Sequence, residues 1–183
     1  FDNITVTENK EGNYLGQINL NGYRGDNAFT FRNCKWIHNI LNSKYGGGTG
    51  LWLINSKQQC IFEFDNCLFE RNQHNKNGGG FQDGVSYNTI NKELRFNKCR
   101  FINNQAGGNG GALAIQTVLP FTIDGCTFDS NQAQTGGAIF IETTQENDRK
   151  VEAYSEYGFI KNCIFTNNAA TSGNGTSLSI ENS

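Results

Sequence analysis

Along this chain, short stretches alternate apolar and polar residues, and the stretches return in a fixed order. Cys99 and Phe101 flank Arg100, Leu113 and Ile115 flank Ala114, and Phe121 and Ile123 flank Thr122. Alternation with a period of two predicts short, half-buried strands rather than helices. Residues 103–109 read as turn material, Gly110 and Gly111 open the second stretch, and Asp124-Gly125 turns the chain into Cys126. One circuit from Cys99 to Cys126 therefore predicts three short strands around a coil. The next circuit repeats them, so equivalent strands would lie side by side at about 4.8 Å. The fold expected is all-β, a parallel β-helix of five to six coils.

The corner before each Cys strand belongs to a nine-residue unit: aromatic or Ile, two turn residues, Cys, any residue, aromatic, two residues, Asn. It occurs at 31–39, 64–72, 96–104, 123–131 and 160–168, and at 1–9 with Ile4 in place of Cys and Val6 in place of the aromatic. The steps between copies are 30, 33, 32, 27 and 37 residues. Such variation suits a β-coil, in which loops of any length leave a fixed strand frame.

Read as columns along the coil axis, the unit gives ladders. One apolar column is Phe1, Phe31, Phe64, Phe96, Ile123, Ile160, and a second is Val6, Trp36, Phe69, Phe101, Phe128, Phe165. Both are expected in the core. The residue before Cys is Asn3, Asn33, Asn66, Lys98, Gly125 or Asn162, where Asn and Gly suit a left-handed corner. Lys98 departs from that rule, and a one-residue shift would let Asn97 take the role. The last position is Asn9, Asn39, Asn72, Asn104, Asn131 and Asn168 without exception. A primary amide both donates and accepts, so these residues predict a stacked Asn ladder.

Cys34, Cys67, Cys99, Cys126 and Cys163 share one column, and Cys60 lies outside it. No Cys-x-x-Cys spacing suggests a metal. Side chains on in-register parallel strands point the same way, so the column reads as buried thiols, with Cys60 left as a candidate for a disulfide. Two residues before Cys the column is Asp2, Arg32, Asp65, Asn97, Asp124, Lys161, and no two neighbours carry like charge.

Composition narrows the function. The 183 residues carry a net charge of −2 and a pI near 5.7, so no basic field invites nucleic acid. No apolar run approaches the roughly 20 residues of a membrane span. The chain opens at Phe1, inside a repeat, and is expected to be a segment of a longer protein with one domain over 1–183. Excursions are expected near 10–26, 86–93 and 144–156, with Tyr154 and Tyr157 as candidate contact residues. Asn3-Ile4-Thr5 and Asn174-Gly175-Thr176 fit the N-glycosylation pattern.

Phe-x-x-Asn at 69–72, 101–104, 128–131 and 165–168, paired with Gly136-Gly137-Ala138-Ile139 and Gly110-Gly111-Ala112-Leu113, resembles the repeats of chlamydial polymorphic outer membrane proteins. It is also similar to β-helix repeats in large protist surface proteins. The resemblance covers nearly the whole chain and implies a right-handed coil in a surface-exposed, often adhesive, protein. Residues 46–48 and 78–80 keep the glycines but lose Ala-Ile.

The function expected is a non-catalytic structural or adhesive module of an extracellular or cell-surface protein. Its partners would be other surface proteins, glycans or further repeats of the same chain, with no cofactor. The alternative is a polysaccharide lyase, glycosidase or glycan-binding module on the same fold. Hydrolysis would need two carboxylates facing each other across a groove. Glu63 and Asp65 flank Phe64, Glu142 ends a strand alone, and His38 and His74 read as solvated turn residues. Trp52 alternates with Leu51 and Leu53 and is a candidate outward aromatic.

Overall fold

The computed structural model describes residues 1–10, 18–19, 27–42, 52–54, 60–83, 92–115, 120–143 and 158–182. They contain no helix and twenty-two strands. Every registered strand pair is parallel and joins one coil to the next. Each such pair is closed by a crossover around the coil, a connection that is right-handed in nearly all proteins. The result is a parallel β-helix of six coils.

Four sheets run along the axis, not three. Sheet A, before each Cys, holds Asn27–Arg32, Cys60–Asp65, Lys92–Asn97, Phe121–Asp124 and Phe159–Lys161. Sheet B, after it, holds Thr5–Thr7, Lys35–Ile37, Leu68–Glu70, Arg100–Ile102, Thr127–Asp129 and Ile164–Thr166. Sheet D follows the glycines and includes Phe81–Asp83, Leu113–Ile115, Ile139–Thr143 and Leu178–Asn182. The fourth, sheet C, has strands only two residues long: Ile40–Leu41, Gln73–His74, Gln105–Ala106, Gln132–Ala133 and Ala169–Ala170. Two residues are too few to show a period, so this segment read as turn.

Left-handed corners separate the sheets. At the corner before Cys, Asn3, Asn33, Asn66, Lys98, Gly125 and Asn162 all have φ between 51° and 63°. Lys98 itself adopts φ 52°, and Asn97 stays in its strand opposite Asp124, so no shift occurs. A second corner lies just before the ladder Asn, at Glu8, His38, Arg71, Asn103, Ser130 and Asn167. The third is the first glycine of each pair.

At that third corner the two glycines have different reasons. Gly78, Gly110 and Gly136 have φ of 69°, 68° and 60°. The glycine after each is held by space: a Cβ on Gly79, Gly111 or Gly137 would lie 2.1–2.3 Å from a carbonyl oxygen of the next coil. Gly80 takes the Ala position of this motif and Phe81 the Ile position, in register with Leu113.

The core is built from the columns. Trp36, Phe69, Phe101, Phe128 and Phe165 stack with ring centroids 4.7–4.9 Å apart and near-parallel planes. Phe1, Phe31, Phe64 and Phe96 stack likewise, and the two columns meet edge to face, as Phe31 meets Trp36 and Phe96 meets Phe101. Both geometries suit the aromatic quadrupole.

Some expected excursions are partly framework. Lys10 bridges Ile40, Ile18–Asn19 pairs in sheet D, and Lys92 and Glu93 already belong to a sheet A strand. The remaining parts of 10–26 and 86–93, all of 144–156, Tyr154 and Tyr157 lie outside the described residues. So do the side chains of Trp52 and Cys60, although both backbones lie in strands.

Candidate functional site

The most ordered polar chemistry in the molecule is the Asn column. Asn39, Asn72, Asn104 and Asn131 are buried. The Nδ2 of Asn9, Asn39, Asn72, Asn104 and Asn131 each donates to Oδ1 of the Asn in the next coil, at 2.8–3.0 Å. The backbone N–H of the same residue donates to the same oxygen, at 3.0–3.2 Å. From Asn39 onward, Nδ2 also donates to the carbonyl of Val6, Trp36, Phe69, Phe101 or Phe128 in the coil behind. Both amide hydrogens of Asn39, Asn72, Asn104 and Asn131 are thus used, as burial of a polar group requires. Aspartate could not replace these residues, since it has no donor.

The five column cysteines are free thiols. Each sulfur lies near two carbonyls: Cys99 Sγ is 3.3 Å from Phe64 O and 3.4 Å from Asn97 O. Cys99 N–H donates to Cys126 Sγ at 3.3 Å. Burial holds the Cys99 thiol well above its ordinary pKa, away from reactive thiolate character.

The carboxylates are engaged locally. Asp124 accepts from Asn162 Nδ2 at 2.9 Å and pairs with Lys161 Nζ at 3.3 Å, and these contacts, Asn162 first, lower its pKa. Asp129 accepts from Thr166 at 2.9 Å, Asn167 at 3.2 Å and Ser130 at 3.0 Å, which lowers its pKa too. Glu63 accepts from Asn97, and Glu93 forms a two-point pair with Arg95 at 2.6 and 2.8 Å. Among the described residues no group of three His, Cys, Asp or Glu is placed to hold a metal.

Two readings need correction. Glu142 does not stand alone: Glu181 of the next coil is its register partner. In-register parallel strands point both carboxylates the same way, so they do not face one another across a groove. His74 is not solvated. It is 1% exposed, within a column between Leu41 and Ala106. Its Nδ1 lies 2.6 Å from Asn77 O, so Nδ1 carries the proton, and the buried Nε2 has no partner. Burial pushes its pKa below the ordinary value. His38, by contrast, is exposed. Asn3 and Asn174 are both exposed, as are Thr5 and Thr176 of their triplets.

Every exposed large apolar side chain among the described residues lies in the first or last coil: Phe1, Ile4, Phe159, Ile164, Leu178 and Ile180. The charged column runs along one edge in strict register, Asp2 against Arg32, Arg32 against Asp65, and Asp124 against Lys161.

Against this geometry, residues 98–116 and 125–142 match the Chlamydia polymorphic membrane protein repeat. Both stretches run from the corner before Cys into the strand after the glycines. The chain is also 30% identical over 155 residues to metabotropic glutamate receptor-like protein P of Dictyostelium discoideum. That alignment covers 84% of this chain and 9% of the relative, so the chain spans a small fraction of the relative's length. No solved structure matches the chain significantly. Two consecutive coils of this chain thus carry stretches similar to the repeat of Chlamydia polymorphic membrane proteins.

Proposed function

We propose that this chain is a non-catalytic structural and adhesive module of a large extracellular or cell-surface protein. The observation that carries the reading is where its repeated residues go. The side chains that define the unit face inward, onto equivalent residues of neighbouring coils, and the charged groups along the edges pair locally. Repetition here builds a rigid rod, not a reaction centre. The matched repeat and the receptor-like name of the relative support a place at the cell surface. The exposed triplets at Asn3 and Asn174 suit glycosylation of a secreted chain. Binding would come from the lateral faces and the loops, including the region of Tyr154 and Tyr157, with surface proteins or glycans as partners.

The test is accessibility. An antibody raised against the folded chain should label intact source cells as strongly as permeabilised ones, and the soluble chain should compete with cell attachment. Labelling seen only after permeabilisation would refute the reading.

A further inference from the structure

Three successive ladder residues of the interior coils, Asn72, Asn104 and Asn131, are each followed by Gln: Gln73, Gln105 and Gln132. These Gln stand in register on sheet C, about 4.8 Å apart from coil to coil. Their side chains point outward and are exposed, while the next residues, His74, Ala106 and Ala133, point inward and are buried. Their backbones are pinned to the ladder. Gln73 N–H donates to Asn39 O, Gln105 N–H to Asn72 O and Gln132 N–H to Asn104 O. The Asn ladder thus fixes the spacing of the Gln row.

The two amide rows share spacing and chemistry but not use. The buried Asn amides are saturated by neighbouring coils. The side chains of Gln73, Gln105 and Gln132 bond to none of the described residues, nor do those of exposed Asn103 and Gln134 beside them. Gly107, two residues past Gln105, has no side chain, and a Cβ there would lie 2.4 Å from Asn75 O. The centre of the face is therefore low.

The other lateral faces differ. On sheet A, the outward Glu63 and Glu93 are engaged by Asn97 and Arg95. Sheet B sets Lys35, Leu68 and Arg100 in one outward row. On sheet D the outward row of Gln82, Ala114, Phe140 and Ser179 is buried. The Gln row carries no charge and no large apolar group. Arg71, at its corner, is paired with Glu70 at 2.9 Å, and Lys76 stands at its far margin.

This chemistry selects the partner. Nucleic acid needs a cationic face, and a protein interface centres on aromatic or apolar anchors. A row of free amides offers donors and acceptors together, which matches sugar hydroxyls, since each of those also donates and accepts. A pyranose ring is about as long as one coil step. Because the row is held by the ladder beneath it, little ordering is needed on binding.

We propose that the outer face of sheet C binds a neutral, unbranched glycan laid along the coil axis across Gln73, Gln105 and Gln132, with Asn103 and Gln134 as flanking contacts. This rests on the surface role proposed above and names one partner class for it.

The test follows the side-chain amide signals of the chain by nuclear magnetic resonance during titration with neutral hexasaccharides of glucose, mannose and N-acetylglucosamine. A heparin hexasaccharide is the anionic arm. At least one neutral hexasaccharide should shift the signals of Gln73, Gln105 and Gln132 together, and should bind at least several-fold more tightly than its own monosaccharide. Replacing all three Gln by Ala should abolish this binding and leave the thermal unfolding midpoint unchanged, because their side chains hold nothing in the fold. Should that variant lose the parent's circular dichroism spectrum, Gln105→Glu takes its place and should weaken binding several-fold. No shift at millimolar sugar, shifts centred on sheet A or B, unimpaired binding by the variant, or a preference for heparin would overturn the proposal. A chain that labels intact cells but binds no neutral glycan would reject this site and leave the surface reading standing. Glycan binding by a chain labelled only after permeabilisation would do the reverse.

Discussion

Asn104 donates twice to a single atom: its backbone N–H and its Nδ2 both reach Oδ1 of Asn131 at 3.0 Å. Its second amide hydrogen goes to Phe69 O at 2.9 Å, and its own Oδ1 receives the same two donors from Asn72. One short side chain thus joins three consecutive coils at a site with almost no water. Asn104→Ala leaves the two Asn72 donors without partners and removes the Nδ2 donor to Phe69 O. At about 1–3 kcal/mol for each orphaned buried group, the loss should be about 3 kcal/mol or more. Asn104→Asp should cost more at neutral pH, since its carboxylate would face two acceptor oxygens. Urea unfolding of the two variants beside the parent measures both.

The glycines at two corners predict opposite tolerances. Gly111→Ala would put a methyl 2.1 Å from Gly137 O, a backbone atom that cannot move without moving a coil. Its cost should be about 3 kcal/mol. Gly125 needs only its φ of 63°, and the nearest atom to an added Cβ is 3.6 Å away. The same corner holds Asn3, Asn33, Asn66 and Asn162 in other coils, so Gly125→Asn should change stability by about 1 kcal/mol or less. Thermal unfolding distinguishes the two.

Acid should weaken the fold in two stages. Burial depresses the His74 pKa in the folded state, so the unfolded chain takes up the proton first. The stability tied to neutral His74 is present above pH 6.5 and is lost as pH falls through the lowered folded value. Asp124 and Asp129 are also depressed, so their contribution is present above pH 3.8 and fades below it. His74→Leu matches its column neighbour Leu41 and should abolish the first stage while sparing the second. Unfolding free energies from pH 7.5 to 3, with and without the substitution, test the assignment.

The thiols should differ in access. Cys34, Cys67, Cys99 and Cys126 are buried, whereas Cys163, at the end of the column, is partly exposed. In a Cys60→Ser background, a maleimide should modify Cys163 in the native protein and the other four only on unfolding. Mass spectrometry of the labelled peptides gives the order.

What the sequence showed and what it hid follow from one property, a fixed offset within the unit. Cys, the aromatics and the ladder Asn sit at constant offsets with similar side chains, so their columns are legible in the sequence. The corner just before the ladder Asn is equally regular in backbone, with φ of 53–56° at Glu8, His38, Arg71, Asn103, Ser130 and Asn167. It was invisible because five residue types occupy it and none is Gly. His74 was misread for a related reason: its column combines Leu41, His74, Ala106, Ala133 and Ala170, which share no chemistry. The pairing of Glu142 with Glu181 depends on loop lengths around a whole coil, and a local pattern does not contain it.

The invariant residues of the unit fasten coil to coil. Amide hydrogen exchange tests it most directly, because Asn39, Asn72, Asn104 and Asn131 donate their N–H groups to side chains rather than to a strand. These amides should exchange as slowly as those of Phe69 and Phe101 in sheet B, released only by global unfolding. Exchange at the rate of an open turn would contradict it.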